Sequence, residues 1–137
     1  MSTHAYVMYK DNETNVTKGI YVHGDGYYSW TGAILNDDYK DESKVKELIN
    51  LGDLSVLDKN IGVKIDFNDY KTREENQQCR AYHRDRDEDL NINTVPNIDD
   101  MTKYYSFCYL YDNGWKTFYK NKWRPLDEVL TKEGITK

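Results

Sequence analysis

The segment from residue 106 to residue 119 constrains the fold more than any other part of the sequence. Two runs rich in aromatic and aliphatic residues, 106–111 and 115–119, flank the tripeptide Asp112-Asn113-Gly114. An Asn-Gly step between two apolar runs is typical of a tight β-hairpin, because both residues tolerate the positive φ angles of its turn. The sequence therefore predicts antiparallel pairing here, which excludes a purely parallel, doubly wound sheet.

A second hairpin is predicted near the N-terminus, where the apolar runs 4–10 and 16–23 flank a polar turn at 11–15. Two helices are predicted next, one from Ser29 to Tyr39 and one that is capped by Asp41 or Ser43 and ended by Gly52. A turn at 53–57 and a loop at 58–78 follow, with an edge strand around Val63, Ile65 and Phe67, and then a central strand from Cys79 to Arg84. The last predicted elements are a short helix after Asn97 or Asp99 and a helix beginning at Pro125. We expect one α+β domain spanning residues 1–137. It would hold a single antiparallel sheet of about five strands, with three or four short helices packed mainly on one face.

Tyrosine is the unusual component of this 137-residue chain, with 13 Tyr against 3 Phe and 3 Trp. A buried tyrosine hydroxyl needs a hydrogen-bond partner, so a purely apolar core favours phenylalanine. The excess therefore favours half-exposed rings, which are common at binding interfaces. The alternative is an ordinary sheet with tyrosines on its solvent-facing side.

The net charge of −5 argues against direct nucleic-acid binding, which requires a basic surface. Ten of the 24 acidic residues lie in three clusters, at residues 37–42, 85–89 and 99–100. Such clusters could imitate a phosphate backbone and occupy a nucleic-acid-binding protein. Alternatively, they are solvated surfaces and helix starts.

The two cysteines, Cys79 and Cys108, do not form a Cys-x-x-Cys pair. We expect no signal peptide, because no basic region followed by an apolar stretch begins the chain, and no apolar run approaches the length of a membrane span. Reduced thiols in a cytoplasm are the simplest interpretation.

Two His-x-Asp pairs, His23 with Asp25 and His83 with Asp85, end predicted strands. Residues two apart on a strand share a face, so each pair could present an imidazole beside a carboxylate. If the two strands are neighbours, the four side chains could bind a divalent metal, or could serve as general base and orienting acid. The alternative is that both pairs make only local turn contacts.

A basic cluster, Arg80, Arg84 and Arg86, is interleaved with Tyr82 in the same region. On a strand, Arg80, Tyr82 and Arg84 would share one face, where two guanidinium groups beside a ring could hold a phosphate or a base. Tyr27 could add a second stacking ring. The alternative is an internal salt-bridge network with Asp85 and the carboxylates that follow it.

Three runs resemble an uncharacterised family of small bacteriophage and prophage proteins. They are His23-Gly-Asp-Gly-Tyr27, Lys44-Val-Lys-Glu-Leu-Ile-Asn-Leu-Gly-Asp-Leu-Ser-Val-Leu57 and Ala81-Tyr-His-Arg-Asp-Arg-Asp-Glu-Asp-Leu90. Members of the family typically carry His-Trp-Asp-Gly-Tyr-Pro, Gly-Asp-Leu-Ser-Ser-Leu and Ala-Tyr-His-Arg-Asp-Arg-Gly-Glu. The resemblance covers most of the chain. It departs from the pattern at Gly24, Tyr28 and Asp87, where the family has Trp, Pro and Gly.

The resemblance implies a phage accessory protein in the cytoplasm of a bacterial host. The leading hypothesis is a stoichiometric inhibitor of a host defence protein, similar to anti-CRISPR proteins, that needs no cofactor. A second hypothesis is a sponge that sequesters a nucleotide second messenger through Arg80, Tyr82, Arg84, Arg86 and Tyr27. A third is a metal-dependent enzyme at the His-x-Asp pairs. Binding is favoured over catalysis, and whether the chain forms a homo-oligomer stays open.

Overall fold

A single mixed sheet organises residues 3–135, which are the residues that the computed structural model describes. Within this range the eight strands are β1 (Ala5–Asp11), β2 (Val16–Gly24), β3 (Leu54–Val56), β4 (Arg80–Ala81), β5 (Asn93–Thr94), β6 (Phe107–Tyr111), β7 (Trp115–Tyr119) and β8 (Lys122–Pro125). The six α-helices are α1 (Ala33–Asp38), which continues a π-helical turn at Tyr28–Gly32, α2 (Glu42–Asn50), α3 (Tyr70–Asn76), α4 (Tyr82–Arg86), α5 (Ile98–Met101) and α6 (Leu126–Lys132). None of these helices is long and apolar enough to cross a bilayer.

The strand order is β4-β3-β2-β1-β6-β7-β8. The short strand β5 lies outside this order and pairs antiparallel with β2. Both predicted hairpins are confirmed, because β1 pairs antiparallel with β2 and β6 pairs antiparallel with β7. The predicted five-stranded antiparallel sheet is wrong. β1 runs parallel to β6, and β2 runs parallel to β3. A hairpin turn sets only the pairing of its own two strands, whereas the pairing between the two hairpins depends on which strands must be buried.

Burial explains why β1 lies in the middle of the sheet. Ala5, Val7 and Tyr9 face one core, while Tyr6 and Met8 face a second core on the opposite side. A strand that is apolar on both faces requires cover on both, as parallel pairs do. The larger core lies under α1, α2 and α6, and a smaller core packs beneath Ile98 and Met101 of α5.

Three tyrosines lie fully inside the molecule, whereas eight of the thirteen are partly or fully exposed, in agreement with the expectation of half-exposed rings. Tyr39 and Tyr109 donate hydrogen bonds of 2.7 Å each to the carbonyls of Asp58 and Gly26. The Tyr6 hydroxyl accepts from the Asn93 amide at 3.1 Å. Because each hydroxyl has a partner, tyrosine can replace phenylalanine in the core without an unsatisfied polar group.

Several local expectations are confirmed. Asp41 caps α2 by accepting from the Ser43 amide at 3.2 Å, and Gly52 follows the helix with a φ of +77°. Asn97 caps α5 through the Asp99 amide at 3.0 Å. These features depend on residues close together in sequence, which is why the sequence reveals them.

The expectations for residues 53–86 are largely wrong. The predicted turn at 53–57 contains β3, and the predicted loop at 58–78 contains α3 and no edge strand. The predicted central strand from Cys79 to Arg84 is a two-residue edge strand, β4, that turns directly into α4. The turn forms because the side chain of Asp85 accepts a hydrogen bond from the Ala81 amide at 2.9 Å.

The two cysteines are both free and buried, and they pack into different cores. Burial raises the pKa of the Cys108 thiol to about 12. Burial also raises the pKa of the Cys79 thiol. Both thiols are therefore protonated at neutral pH, and neither is suited to act as a nucleophile.

Candidate functional site

Asp85 anchors the region that the sequence singles out for function. Its carboxylate accepts hydrogen bonds from the backbone amides of Ile65 at 3.2 Å and Ala81 at 2.9 Å. Arg84 donates to both carboxylate oxygens, at 3.0 and 3.2 Å, and a nitrogen of Arg73 lies 3.8 Å away. The Asp85 side chain has no exposed surface. It therefore joins α4, β4 and the loop around residue 65 into one unit.

The ionisation of Asp85 follows from this arrangement. Burial by itself raises the pKa of a carboxyl group, because it removes water from the charged form. Hydrogen bonds from Arg84, Ala81 and Ile65 outweigh burial, so the pKa of Asp85 lies below its ordinary value. The carboxylate stays ionised and compensates two neighbouring guanidinium groups.

The guanidinium group of Arg84 donates its hydrogen bonds to groups within the protein. Besides Asp85, it donates to the backbone carbonyls of Ile61 at 2.7 Å and Cys79 at 2.9 Å. Arg73 is also buried, and it donates to four backbone carbonyls of the preceding segment, those of Ile65, Asp66, Phe67 and Asp69. Neither guanidinium group therefore has a free planar edge for a phosphate.

Arg80 and Arg86 pack against the buried ring of Phe67. The guanidinium carbons lie 3.5 Å and 4.4 Å from the ring centroid, and Tyr82 stacks on the same ring with the two centroids 5.5 Å apart. Arg80 also donates to the Phe67 carbonyl and the Tyr70 hydroxyl, whereas Arg86 pairs with Glu88. Of the predicted basic residues, Arg86 is the most exposed.

The predicted binding residues are thus brought together, except one. Arg80, Tyr82 and Arg86 pack on the Phe67 ring, and Arg84 and Asp85 pair with each other beside them. Tyr27 is not part of this group: it follows β2, where its hydroxyl donates to Asp25 at 3.2 Å.

The two His-x-Asp pairs differ from the expected strand geometry. His83 and Asp85 lie on α4, where residues two apart do not share a face. Asp25 lies beyond the end of β2, with a φ of +56°. Within residues 3–135, no group of three or more His, Cys, Asp or Glu side chains is placed to hold a metal ion. The predicted ligands His23, Asp25 and His83 therefore lack further ligands in this range.

His23 instead belongs to a histidine–tyrosine cluster, consisting of His4, Tyr21 and His23. The Tyr21 hydroxyl lies 2.7 Å from His23 Nδ1 and 3.0 Å from His4 Nδ1, and His4 Nδ1 lies 2.6 Å from the His23 carbonyl. A consistent arrangement has Tyr21 donating to His23 and His4 donating to that carbonyl. The cluster lies on the sheet face opposite the larger core.

His4 is a functional candidate that the sequence reasoning missed. Ala5 pairs with Val22 in the β1–β2 hairpin, so His4 comes opposite His23 one step further along. The spacing of residues in this hairpin could have revealed that His4 lies opposite His23. Using it requires the register, which the five-residue turn at 11–15 leaves undetermined.

An open cleft of about 500 Å³ lies beside Tyr82, and we call it the acidic cleft. Four carboxylate side chains contribute to its lining, together with two other polar residues. The full lining is Asp53, Tyr82, His83, Asp87, Glu88, Asp89 and Asn91. Two of the carboxylates are partly compensated at the surface, Asp87 by Lys64 at 3.1 Å and Glu88 by Arg86.

The acidic cleft adjoins the histidine–tyrosine cluster. Asp53 accepts from the Tyr21 amide at 2.9 Å, and its carbonyl accepts from the Tyr82 amide at 3.3 Å. Burial, followed by the nearby Tyr82, Tyr105 and Asp53, raises the pKa of Tyr21. The two features therefore form one continuous surface of phenol rings and carboxylates.

Comparison with protein-family models, with curated proteins and with solved structures found no match to this chain. The resemblance to phage proteins therefore stays a prediction based on three sequence motifs.

Proposed function

We propose that this chain is a binding protein that docks its acidic cleft onto the basic surface of a host defence protein and inhibits it stoichiometrically. The observation that carries the proposal is the cleft itself, which four carboxylate side chains line together with Tyr82. A lysine or arginine side chain fits this chemistry, because the carboxylates can pair with its charge and Tyr82 can contact its stem.

The chemistry of the cleft favours partners that bind nucleic acid. Such proteins expose rows of Lys and Arg that neutralise phosphates, and a row of carboxylates can occupy the same groups. Each exposed ion pair contributes less than about 1 kcal/mol, so charge alone gives a weak complex. The rings of Tyr21 and Tyr105, whose centroids lie 5.9 Å apart, add apolar contact area close to Asp53 of the cleft.

The nucleotide sponge receives less support. Its predicted guanidinium donors are already used: those of Arg84 by Asp85 and backbone carbonyls, and those of Arg80 by Phe67, Ser55 and Tyr70. A phosphate would have to displace these contacts. Arg86 alone could turn outward, by breaking its pair with Glu88.

The test is binding of the purified chain to a panel of purified bacterial defence proteins that bind or cleave nucleic acid. Isothermal titration calorimetry measures the stoichiometry, and competition with a labelled oligonucleotide measures inhibition. We expect at least one partner to bind at a 1:1 ratio per site and to release its oligonucleotide. Absence of a complex with every member, at protein concentrations of about 100 μM, would contradict the proposed inhibitor.

Replacing two carboxylates of the cleft should weaken that complex. In the variant Asp87→Asn with Asp89→Lys, affinity should fall about tenfold or more, because a cation is placed where the partner's cation binds. The control is Glu13→Gln with Glu47→Lys, which makes the same change in net charge at exposed positions outside the cleft. Equal losses in both variants would mean that general charge, and not the cleft, determines binding.

A further inference from the structure

The β7–β8 hairpin carries a basic surface that the sequence reasoning overlooked. Between Asp112 and Asp127 the chain contains four cations and no carboxylate, and we call the segment 116–124 the basic hairpin. Its cations are Lys116, Lys120, Lys122 and Arg124. Strong local charge of this sign stands out in a chain whose net charge is −5.

The cations at the tip of the basic hairpin have no carboxylate partner among residues 3–135. Neither Lys120 nor Lys122 forms an ion pair with another described residue, and both are exposed. Lys116, by contrast, lies 3.9 Å from Asp112. Lys120 Nζ lies 5.3 Å from the centroid of the Tyr119 ring, so the two tip lysines are available to a partner without the loss of an internal ion pair.

Aromatic side chains accompany these cations. Phe118 and Trp123 pack edge to face with centroids 5.4 Å apart, and both are partly exposed. The indole of Trp123 donates to Asp99 at 2.8 Å, which fixes the ring in place. A rigid aromatic pair beside unpaired lysines is typical of a contact surface.

The basic hairpin and the acidic cleft lie at opposite ends of the sheet. β8 is the last strand on one side and pairs only with β7, whereas β4, at the other end, leads directly into α4 and the cleft. Opposite charges at the two ends of one molecule complement each other between molecules. They cannot meet within one molecule, because five strands separate β4 from β8.

We propose that the basic hairpin of one molecule docks into the acidic cleft of a second copy, so that the chain associates head to tail. Lys120 and Lys122 would enter the carboxylate-lined cleft. A two-fold symmetric contact through either surface would place like charges together and is therefore disfavoured. Single-stranded nucleic acid is a poorer occupant of the hairpin, because the net charge of −5 and the carboxylate of Asp99 would repel phosphates.

Head-to-tail association has a consequence for the proposed inhibitor but does not depend on it. Each contact covers one acidic cleft, so a host partner would compete with the second copy for the same carboxylates. Self-association would then block the binding surface reversibly. A variant of the basic hairpin separates the two ideas, since it removes this block and leaves the cleft intact.

The test is complementation between two variants, measured by sedimentation velocity at low ionic strength. The hairpin variant is Lys120→Glu with Lys122→Glu, and the cleft variant is Asp87→Asn with Asp89→Lys. We expect the wild type to associate in a concentration-dependent manner that fades at high salt. Each variant alone should be monomeric. An equimolar mixture should form a 1:1 dimer and nothing larger, because only one intact pair of surfaces remains.

Three outcomes would overturn the proposal. The wild type could stay monomeric at about 0.5 mM, a concentration that detects even weak complexes. Either variant could associate as strongly as the wild type, or the mixture could fail to form a dimer although circular dichroism shows both variants folded. Binding of a fluorescein-labelled 20-nucleotide poly-dT to a monomeric wild type, and not to the hairpin variant, would assign the hairpin to nucleic acid instead. If the hairpin variant still binds a host partner, the proposed inhibitor function is supported whatever the self-association experiments show.

Discussion

The substitution Asp85→Asn is expected to lower the free energy of unfolding by about 3 to 5 kcal/mol, the cost typical of removing one partner from a buried ion pair. The Asp85 side chain is completely buried, and Arg84 and Arg73 lie beside it with 16% and 5% of their side chains exposed. Asparagine keeps one acceptor oxygen but removes the charge, which leaves two guanidinium groups without compensation. Its amide also places donors against the donors of Ala81 or Ile65.

The same residue makes stability depend on pH in a defined direction. The pKa of Asp85 is lower in the folded state than in the unfolded chain, where it is about 3.9. Its stabilising effect is therefore fully present above about pH 4 and is lost as the pH falls through the folded-state pKa. The wild type should lose this part of its stability below pH 4, and the variant should show a correspondingly smaller loss.

Urea unfolding of both proteins between pH 3 and pH 7 measures this effect. The matched control is Asp87→Asn, two residues further along. Its side chain is 84% exposed, its one ion pair within residues 3–135 is with Lys64, and asparagine also tolerates its positive φ. We expect the control to unfold close to the wild type. A loss at Asp85 no larger than at Asp87 would mean that the buried network does not hold α4 in place.

The substitution Gly19→Ala is expected to cost about 2 to 3 kcal/mol, because it overfills a packed site. A Cβ atom at this position of β2 would lie 2.2 Å from Cε2 of Tyr6, far inside the sum of the atomic radii. The Tyr6 ring cannot easily move away, because it is 1% exposed, stacks on Tyr105 and is held by Asn93 at its hydroxyl. Thermal and urea unfolding measure the loss.

A double-mutant cycle identifies the cause of that loss. In the background Tyr6→Leu, which removes the ring, Gly19→Ala should cost much less than it does in the wild type. The matched control is Gly24→Ala in the same strand, where the nearest atom to the new Cβ is the Ser55 carbonyl oxygen at 3.3 Å. Additive losses in the cycle would contradict a clash with Tyr6.

The fold was predictable where neighbours in sequence determine the structure. The Asn113-Gly114 turn specified the β6–β7 hairpin, and Asp41 and Gly52 marked the two ends of α2. The parallel contact between β1 and β6 was not predictable in this way. It joins strands about a hundred residues apart, and it depends on the burial of both faces of β1.

The candidate site shows the same division. The sequence identified Arg80 to Arg86 as a group and left open whether it binds a ligand or forms internal ion pairs. The structure uses Arg84 and Asp85 internally, and it places His83 on a helix because Asp85 closes a turn onto Ala81. The contacts of Asp85 with Ile65 and Arg73 come from distant segments, and no local pattern reveals them.

The sequence by itself determined an acidic, tyrosine-rich α+β chain with two hairpins. Net charge and composition are sums over the residues, and a hairpin turn depends on residues that are neighbours in sequence. Only the tertiary structure decided which charges are free. It engaged the conspicuous arginines with Asp85 and Phe67 and gathered the carboxylates of Asp53, Asp87, Glu88 and Asp89 into one cleft. At the far end of the sheet it left Lys120 and Lys122 without an ion pair to any of residues 3–135. The reason is that a charge held in a buried internal contact is not available to a partner, whereas a weak ion pair at the surface can be exchanged for one.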